Sequence, residues 1–158
     1  MDEYQLGKDM QEIKDRLIHL ESRVDGKRSG GCRMVSSVVS VIQAEREGRE
    51  DFVSWKEAVF KDKTAGECNC RNETIRVYAD GRYVDNASLF NDSGWPDNGD
   101  DHLGLIQIRA GESIIASWDW KVFVSRGHEV KHTTEGSSEE IRRHFDRIDG
   151  VRQVLGCD

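Results

Sequence analysis

The chain has 158 residues, 23 Lys plus Arg against 30 Asp plus Glu, a formal net charge of −7, and 34% charged against 36% hydrophobic residues. That is polar for a globular chain, where about a quarter of residues are charged and nearly half apolar, and the length suits one domain with part of the chain outside its core. No run nears the roughly 18 apolar residues that span a bilayer, Met1-Asp2-Glu3-Tyr4 opens no secretory signal, and the acidic balance opposes a nucleic-acid partner, whose phosphates are bound by clustered Lys and Arg. The expectation is a cytoplasmic protein with neither membrane nor nucleic acid as partner.

Residues 1–25 carry Leu6, Met10, Ile13, Leu17, Leu20 and Val24 at alternating steps of four and three, with nearly everything between them polar. This is the narrow seam of a coiled coil, less broad than the face a helix buries on its own domain. With Met10, Leu17 and Val24 at a and Leu6, Ile13 and Leu20 at d, Asp9 faces Lys14 and Arg16 faces Glu21 between parallel chains, opposite in sign both times. Unbranched or γ-branched residues at two a positions and Ile at one d lean toward a trimer or tetramer. The protein is thus expected to be its own partner. Residues 26–32, Gly26-Lys27-Arg28-Ser29-Gly30-Gly31-Cys32, read as a linker.

From residue 33 to 136 the period falls to about two, which is the signature of strands. Residues 34–44 and 52–61 flank the charged turn 45–50 as a hairpin; 62–72 reads as a loop; 74–78 and 82–90 flank Ala79-Asp80-Gly81, a strong hairpin signal. The acidic loop 91–101 leads to a strand at 103–109, a turn at Ala110-Gly111-Glu112 and a long strand at 114–125, where Trp118, Trp120, Val122 and Val124 share one face. Consecutive strands without intervening helices describe an antiparallel meander closed as a small barrel or folded as a sandwich. Residues 137–158 open with Ser137-Ser138-Glu139-Glu140, a capping box by spacing, and continue through Ile141, Phe145, Ile148, Val151 and Leu155. They are expected to form an amphipathic helix on the β domain, with Gly150 leaving its length open. The fold class is mainly β with flanking helices.

Phe52-Val53-Ser54-Trp55, Cys68, Cys70 and Tyr78-Ala79-Asp80-Gly81 place a tryptophan strand, a cysteine and an Asp-Gly hairpin in that order. In this the chain resembles an uncharacterised group of small bacterial β-sheet domains, over about half of its length. The resemblance implies a β fold and carries no activity or functional residue.

Two segments carry candidate chemistry. His128-Glu129-Val130-Lys131-His132 matches H-E-x-x-H, in which a helix brings two His to one zinc and the Glu activates the bound water. Here an alternating strand and Arg126-Gly127 precede it, Thr133-Thr134-Glu135-Gly136 follows, and Val130 is its one apolar anchor. A helix that short is marginal. An extended strand would set His128 and His132 on one face and Glu129 on the other, so zinc and a hydrolase with Glu129 as its catalytic residue form the alternative reading. The loop 91–101 holds Asp92, Asp97, Asp100 and Asp101 around Trp95 without EF-hand spacing. An indole among carboxylates is suited to stack on and hydrogen-bond a sugar or a polar peptide.

Cys32, Cys68, Cys70 and Cys157 form no zinc framework and read as free thiols, with a Cys32–Cys157 bridge left open. Taken together, the residues point to a non-enzymatic homo-oligomeric binding or assembly protein without a cofactor. Its expected ligand is a protein or carbohydrate, met by Trp95, Asp92, Asp97, Asp100 and Asp101, with the strand around Trp118 and Trp120 either adjoining that surface or belonging to the core.

Overall fold

The computed structural model describes residues 33–44 and 53–158. The expected coiled-coil arm 1–25, the expected linker 26–32 and the expected charged turn 45–50 lie outside the described residues. The elements in chain order are β1 (Arg33–Ser40), β2 (Ile42–Ala44), β3 (Trp55–Val59), β4 (Lys63–Ala65), β5 (Cys68–Tyr78), β6 (Arg82–Asn91), β7 (Gly99–Ala110), β8 (Ser113–Ser125), β9 (Glu129–Ser137), α1 (Glu139–His144), a 3-10 turn (Phe145–Arg147) and β10 (Gly150–Cys157).

Two of the expected hairpins form where turn residues separate alternating runs, whereas of the expected 34–44 strand only residues 42–44 pair with β3 and residues 34–40 pair with β10. Gly81 (φ +98°) closes β5 on β6 and Gly111 (φ +59°) closes β7 on β8, both in the left-handed region where a side chain is strained. The strands are antiparallel and divide between two sheets, β1-β10-β7-β8 and β2-β3-β5-β6-β9 with β4 paired on β5. Residues of both sheets meet in one core that includes Ile75, Val77 and Leu89 from one side and Ile106, Ile108 and Leu155 from the other. This is a sandwich.

Three expectations about the body change. The connections are not those of a simple meander: the chain changes sheet between β1 and β2, β6 and β7, β8 and β9, and β9 and β10, and β1 pairs with β10 from the far end of the sequence. The expected loop 62–72 instead contains β4 and the start of β5. Gly66 (φ +59°) lets the chain reverse so that Ala65 pairs with Cys68, and Cys68, Asn69 and Cys70 are buried. The acidic loop contracts to 92–98, because Asn91 still belongs to β6 while Asp100 and Asp101 already lie in β7.

The largest correction is at the C-terminus. Ser138, not Ser137, caps α1 by accepting a hydrogen bond from the Ile141 amide at 3.3 Å, and the helix ends at His144. Ile141, Phe145 and Ile148 enter the core as the expected apolar face. Buried Lys56 on β3 donates to the carbonyls of Phe145 (2.7 Å), which also accepts the Ile148 amide at 3.2 Å, and of Ile148 (2.8 Å), holding the end of this segment to the sheet. From Gly150 onward the chain is the strand β10, inserted between β1 and β7. Val151, Leu155 and Cys157 face the main core, whereas Val154 packs with Leu105 on the opposite face. A strand buried on both sides loses its alternation, and an apolar run of that kind cannot be told from a buried helix by periodicity.

Candidate functional site

β6 runs from the end of the sandwich that holds α1 to the opposite end, where the 92–98 loop begins. Much of the chemistry on that second end is organised by Asn91, the last residue of β6. Its Nδ2 donates to Asp100 Oδ2 at 2.9 Å, and its Oδ1 accepts from the Ser93 amide at 3.0 Å and also meets the Ser93 hydroxyl. Ser93 Oγ lies 2.8 Å from the same Asp100 oxygen. The backbone adds Asp92 N to Glu67 O (3.0 Å), Asp97 N to Gly94 O (3.0 Å), Arg126 N to Asn98 O (2.8 Å) and Gly127 N to Asn91 O (2.8 Å). Both ends of the loop are therefore tied to neighbouring turns.

Above this base stands Trp95, 83% exposed and joined to Pro96 by a cis peptide. Phe123 on β8, 55% exposed, lies opposite Asp101 in the β7–β8 ladder and beside Gly99. Asp92 and Asp97 are exposed with Trp95; Asp101 is half-buried and 3.6 Å from Lys121 Nζ. Asp100 points down into the base. Glu67 lies near it, and its carboxyl is raised above the ordinary range: burial and the charges of Asp100 and Asp97 outweigh the opposing hydrogen bond from Ser93, the largest single influence. Of the residues singled out in the sequence, Trp95, Asp92 and Asp97 share the exposed rim, while Asp100 and Asp101 support it.

The expected thiols are partly overturned here. Cys68 on β5 and Cys157 on β10 form a disulfide that joins the two sheets beneath the loop. Cys157 is thereby committed to Cys68, and a bridge to Cys32 is excluded in this state. Cys70 is a buried free thiol, pushed up by burial first and by the charge of Glu73 next.

Residues 129–132 are extended in β9, with Val130 and His132 half-buried and Glu129 and Lys131 exposed. His128 lies in the preceding turn, its Nδ1 3.1 Å from Arg126 O, while His132 Nε2 is 3.0 Å from Thr134 Oγ1 and its ring lies 5.2 Å from that of Trp120. Four residues of strand separate the two imidazoles by about 13 Å along the backbone. The helical geometry that H-E-x-x-H chemistry needs is absent from this segment.

A second polar group, which sequence reasoning missed, lies between the sheets. Asp85 on β6, 1% exposed, accepts the indole N–H of both Trp118 (3.1 Å) and Trp120 (3.2 Å) on its Oδ2. These two tryptophans are core, with Trp118 stacked on Tyr83 at 4.2 Å, and do not extend the Trp95 surface. Glu73, 2% exposed, sits at a register shift in β5 after Asn72 (φ +53°). That bulge breaks the alternation, so that the inward series passes from Cys68 and Cys70 to Glu73, Ile75 and Val77. Neither Glu73 oxygen nor Asp85 Oδ1 has a donor among the fixed N–H and O–H groups. A proton on Glu73 supplies one: burial, the charge of Asp85 and a hydrogen bond between the two carboxyls push Glu73 up to about 10. Lys63 donates to Gln153 Oε1 across the sheets, and its ammonium is lowered mainly by burial. The broken alternation around Asn72 was the available sequence signal.

No helix of the described residues is long and apolar enough to cross a membrane. No protein-family model and no curated protein matches the chain.

Proposed function

We propose that the protein is a non-enzymatic binding or assembly module whose contact surface is the Trp95 loop. The observation that carries this is a large indole, 83% exposed, on a loop whose base is fixed by the Asn91–Ser93–Asp100 hydrogen bonds. An exposed aromatic on a pre-ordered support loses little conformational entropy on binding. Asp92 and Asp97 supply acceptors beside the ring, a combination suited to sugar hydroxyls or to the donors of a polar peptide. In the N-terminal arm, Leu6, Met10, Ile13, Leu17, Leu20 and Val24 gather three or four copies. Several weak sites on one assembly raise avidity by about 10²–10⁴ without any new contact.

The compartment turns on Cys68 and Cys157. A lasting disulfide belongs to an oxidising compartment, whereas in the reducing cytoplasm the same two residues are held as thiols.

The test is a glycan and peptide array probed with the full-length protein and with Trp95→Ala. We expect the signal to fall by at least about tenfold, with the unfolding midpoint unchanged; full retention of signal would refute the surface. Light scattering on the full chain and on a chain beginning at Gly31 tests the arm. A monomeric mass for both would refute multivalent display.

A further inference from the structure

The Cys68 and Cys157 sulfurs and a carboxylate oxygen of Asp100 all lie within 4.8 Å of one another. The three residues come from separate strands, and the hydrogen-bonded ladders set their positions. Cys68 is paired with Ala65 and Asn91, Cys157 with Arg33 and His102, and Asp100 with Val124. The ladder at Cys157 is extended by the reciprocal backbone pair Asp101–Asp158 at 2.9 and 3.0 Å. These ladders hold the three positions by backbone hydrogen bonds in addition to the sulfur–sulfur bond.

We propose that Cys68, Cys157 and Asp100 form a redox-gated site for a thiophilic divalent cation of the zinc class, with the disulfide and the bound metal as alternative links between the two sheets. When a dithiol reductant delivers two electrons and two protons to the disulfide, it becomes a disulfide itself and leaves two thiols. The cation then displaces both thiol protons to solvent and bonds to two thiolates and one carboxylate. Two sulfur donors select zinc over calcium or magnesium, which require oxygen ligands throughout. Three protein ligands leave the fourth tetrahedral position to water. Asp100 is held for this role by Asn91 Nδ2 and Ser93 Oγ on its Oδ2, the kind of supporting hydrogen bond that orients a ligating carboxylate. The metal would keep the base of the Trp95 loop joined to both sheets when the covalent link is open. The inference stands on the three ligand atoms and does not rest on what the loop binds.

The experiment uses the full chain, reduced with a phosphine, freed of reductant without air and titrated with cobalt(II) alone, then with zinc(II) in competition against a chromophoric chelator. We expect one cobalt per chain with a thiolate-to-cobalt charge-transfer band, displaced by zinc, and no such band for the disulfide form. Asp100→Asn retains both sulfurs and should weaken zinc by about tenfold or more. Cys32→Ser combined with Cys70→Ser should leave uptake unchanged. No uptake by the reduced protein, an unaltered affinity in Asp100→Asn, or a band that vanishes with Cys32 and Cys70 would each overturn the site. Asp100→Asn keeps the disulfide during purification, so a folding defect in cysteine variants does not blunt the test.

Discussion

Asp85 joins the sheets through two hydrogen bonds to one oxygen, and its removal leaves two buried indole donors unmet. Unsatisfied buried groups cost about 1–3 kcal/mol each, so Asp85→Ala should lose about 2–6 kcal/mol in urea denaturation, and a loss under about 1 kcal/mol would show that the indoles find other partners. Glu73 makes stability depend on pH. Its folded-state value is raised, so the folded protein holds a proton that the unfolded chain has released once pH exceeds the ordinary carboxylate range. The contribution is therefore complete below that range and is lost as pH rises toward about 10. The slope from one proton reaches about 1.4 kcal/mol per pH unit. Asp85, Lys63 and Cys70 face the same group and modulate it. Glu73→Gln should flatten stability measured between pH 6 and pH 9 relative to the parent; equal slopes would show that the proton is held elsewhere. Neither carboxyl was legible as a core residue, because a buried Asp becomes reasonable only once the facing strand is known to bring two indoles to Asp85, and a buried Glu only once Asp85 is placed beside Glu73.

At the level of elements, β7 and β8 set the closest packing. Gly104 lies under the Trp120 ring, and a Cβ there would run into the indole. Gly104→Ala should cost about 1–3 kcal/mol by overpacking and lower the thermal midpoint; an unchanged midpoint would mean that the ring can move without loss. The hairpins β5–β6 and β7–β8 were readable because their cause is local: alternating side chains, then Asp80-Gly81 or Gly111 able to take positive φ. β10 was not. Val151, Gln153, Val154 and Leu155 are all buried, and a helix and a doubly covered strand share that pattern until β1 and β7 are placed on either side. β9 stands between these cases, since its half-buried and exposed residues alternate along its whole length and put Glu129 to His132 of the H-E-x-x-H segment on a strand.

For the whole molecule, the Cys68–Cys157 disulfide spans 89 positions of sequence and links the two layers. Closing a loop of that size stabilises by about 4–5 kcal/mol in the chain-entropy description. Urea unfolding with and without reductant, in the absence of metal, should differ by that order; a difference under about 1 kcal/mol would mean that the ladders alone determine stability. The same link lies under the Trp95 loop, so the reduced protein should also display that surface less rigidly, which the array readout can compare directly.

What the sequence determined by itself is the local chemistry: a predominantly antiparallel β body, its glycine turns, and an indole set among carboxylates at Trp95. These follow from side-chain period and turn residues within a few positions of one another. Beyond those local hairpins, the tertiary structure alone decided which strands meet. β1 pairs with β10 although Ser36 and Arg152, hydrogen-bonded at 3.0 Å, are 116 positions apart. It also decided that Cys157 joins Cys68, and that Trp118 and Trp120 of one layer donate to Asp85 of the other. Such contacts depend on where the sheets cross over, and no local period records that.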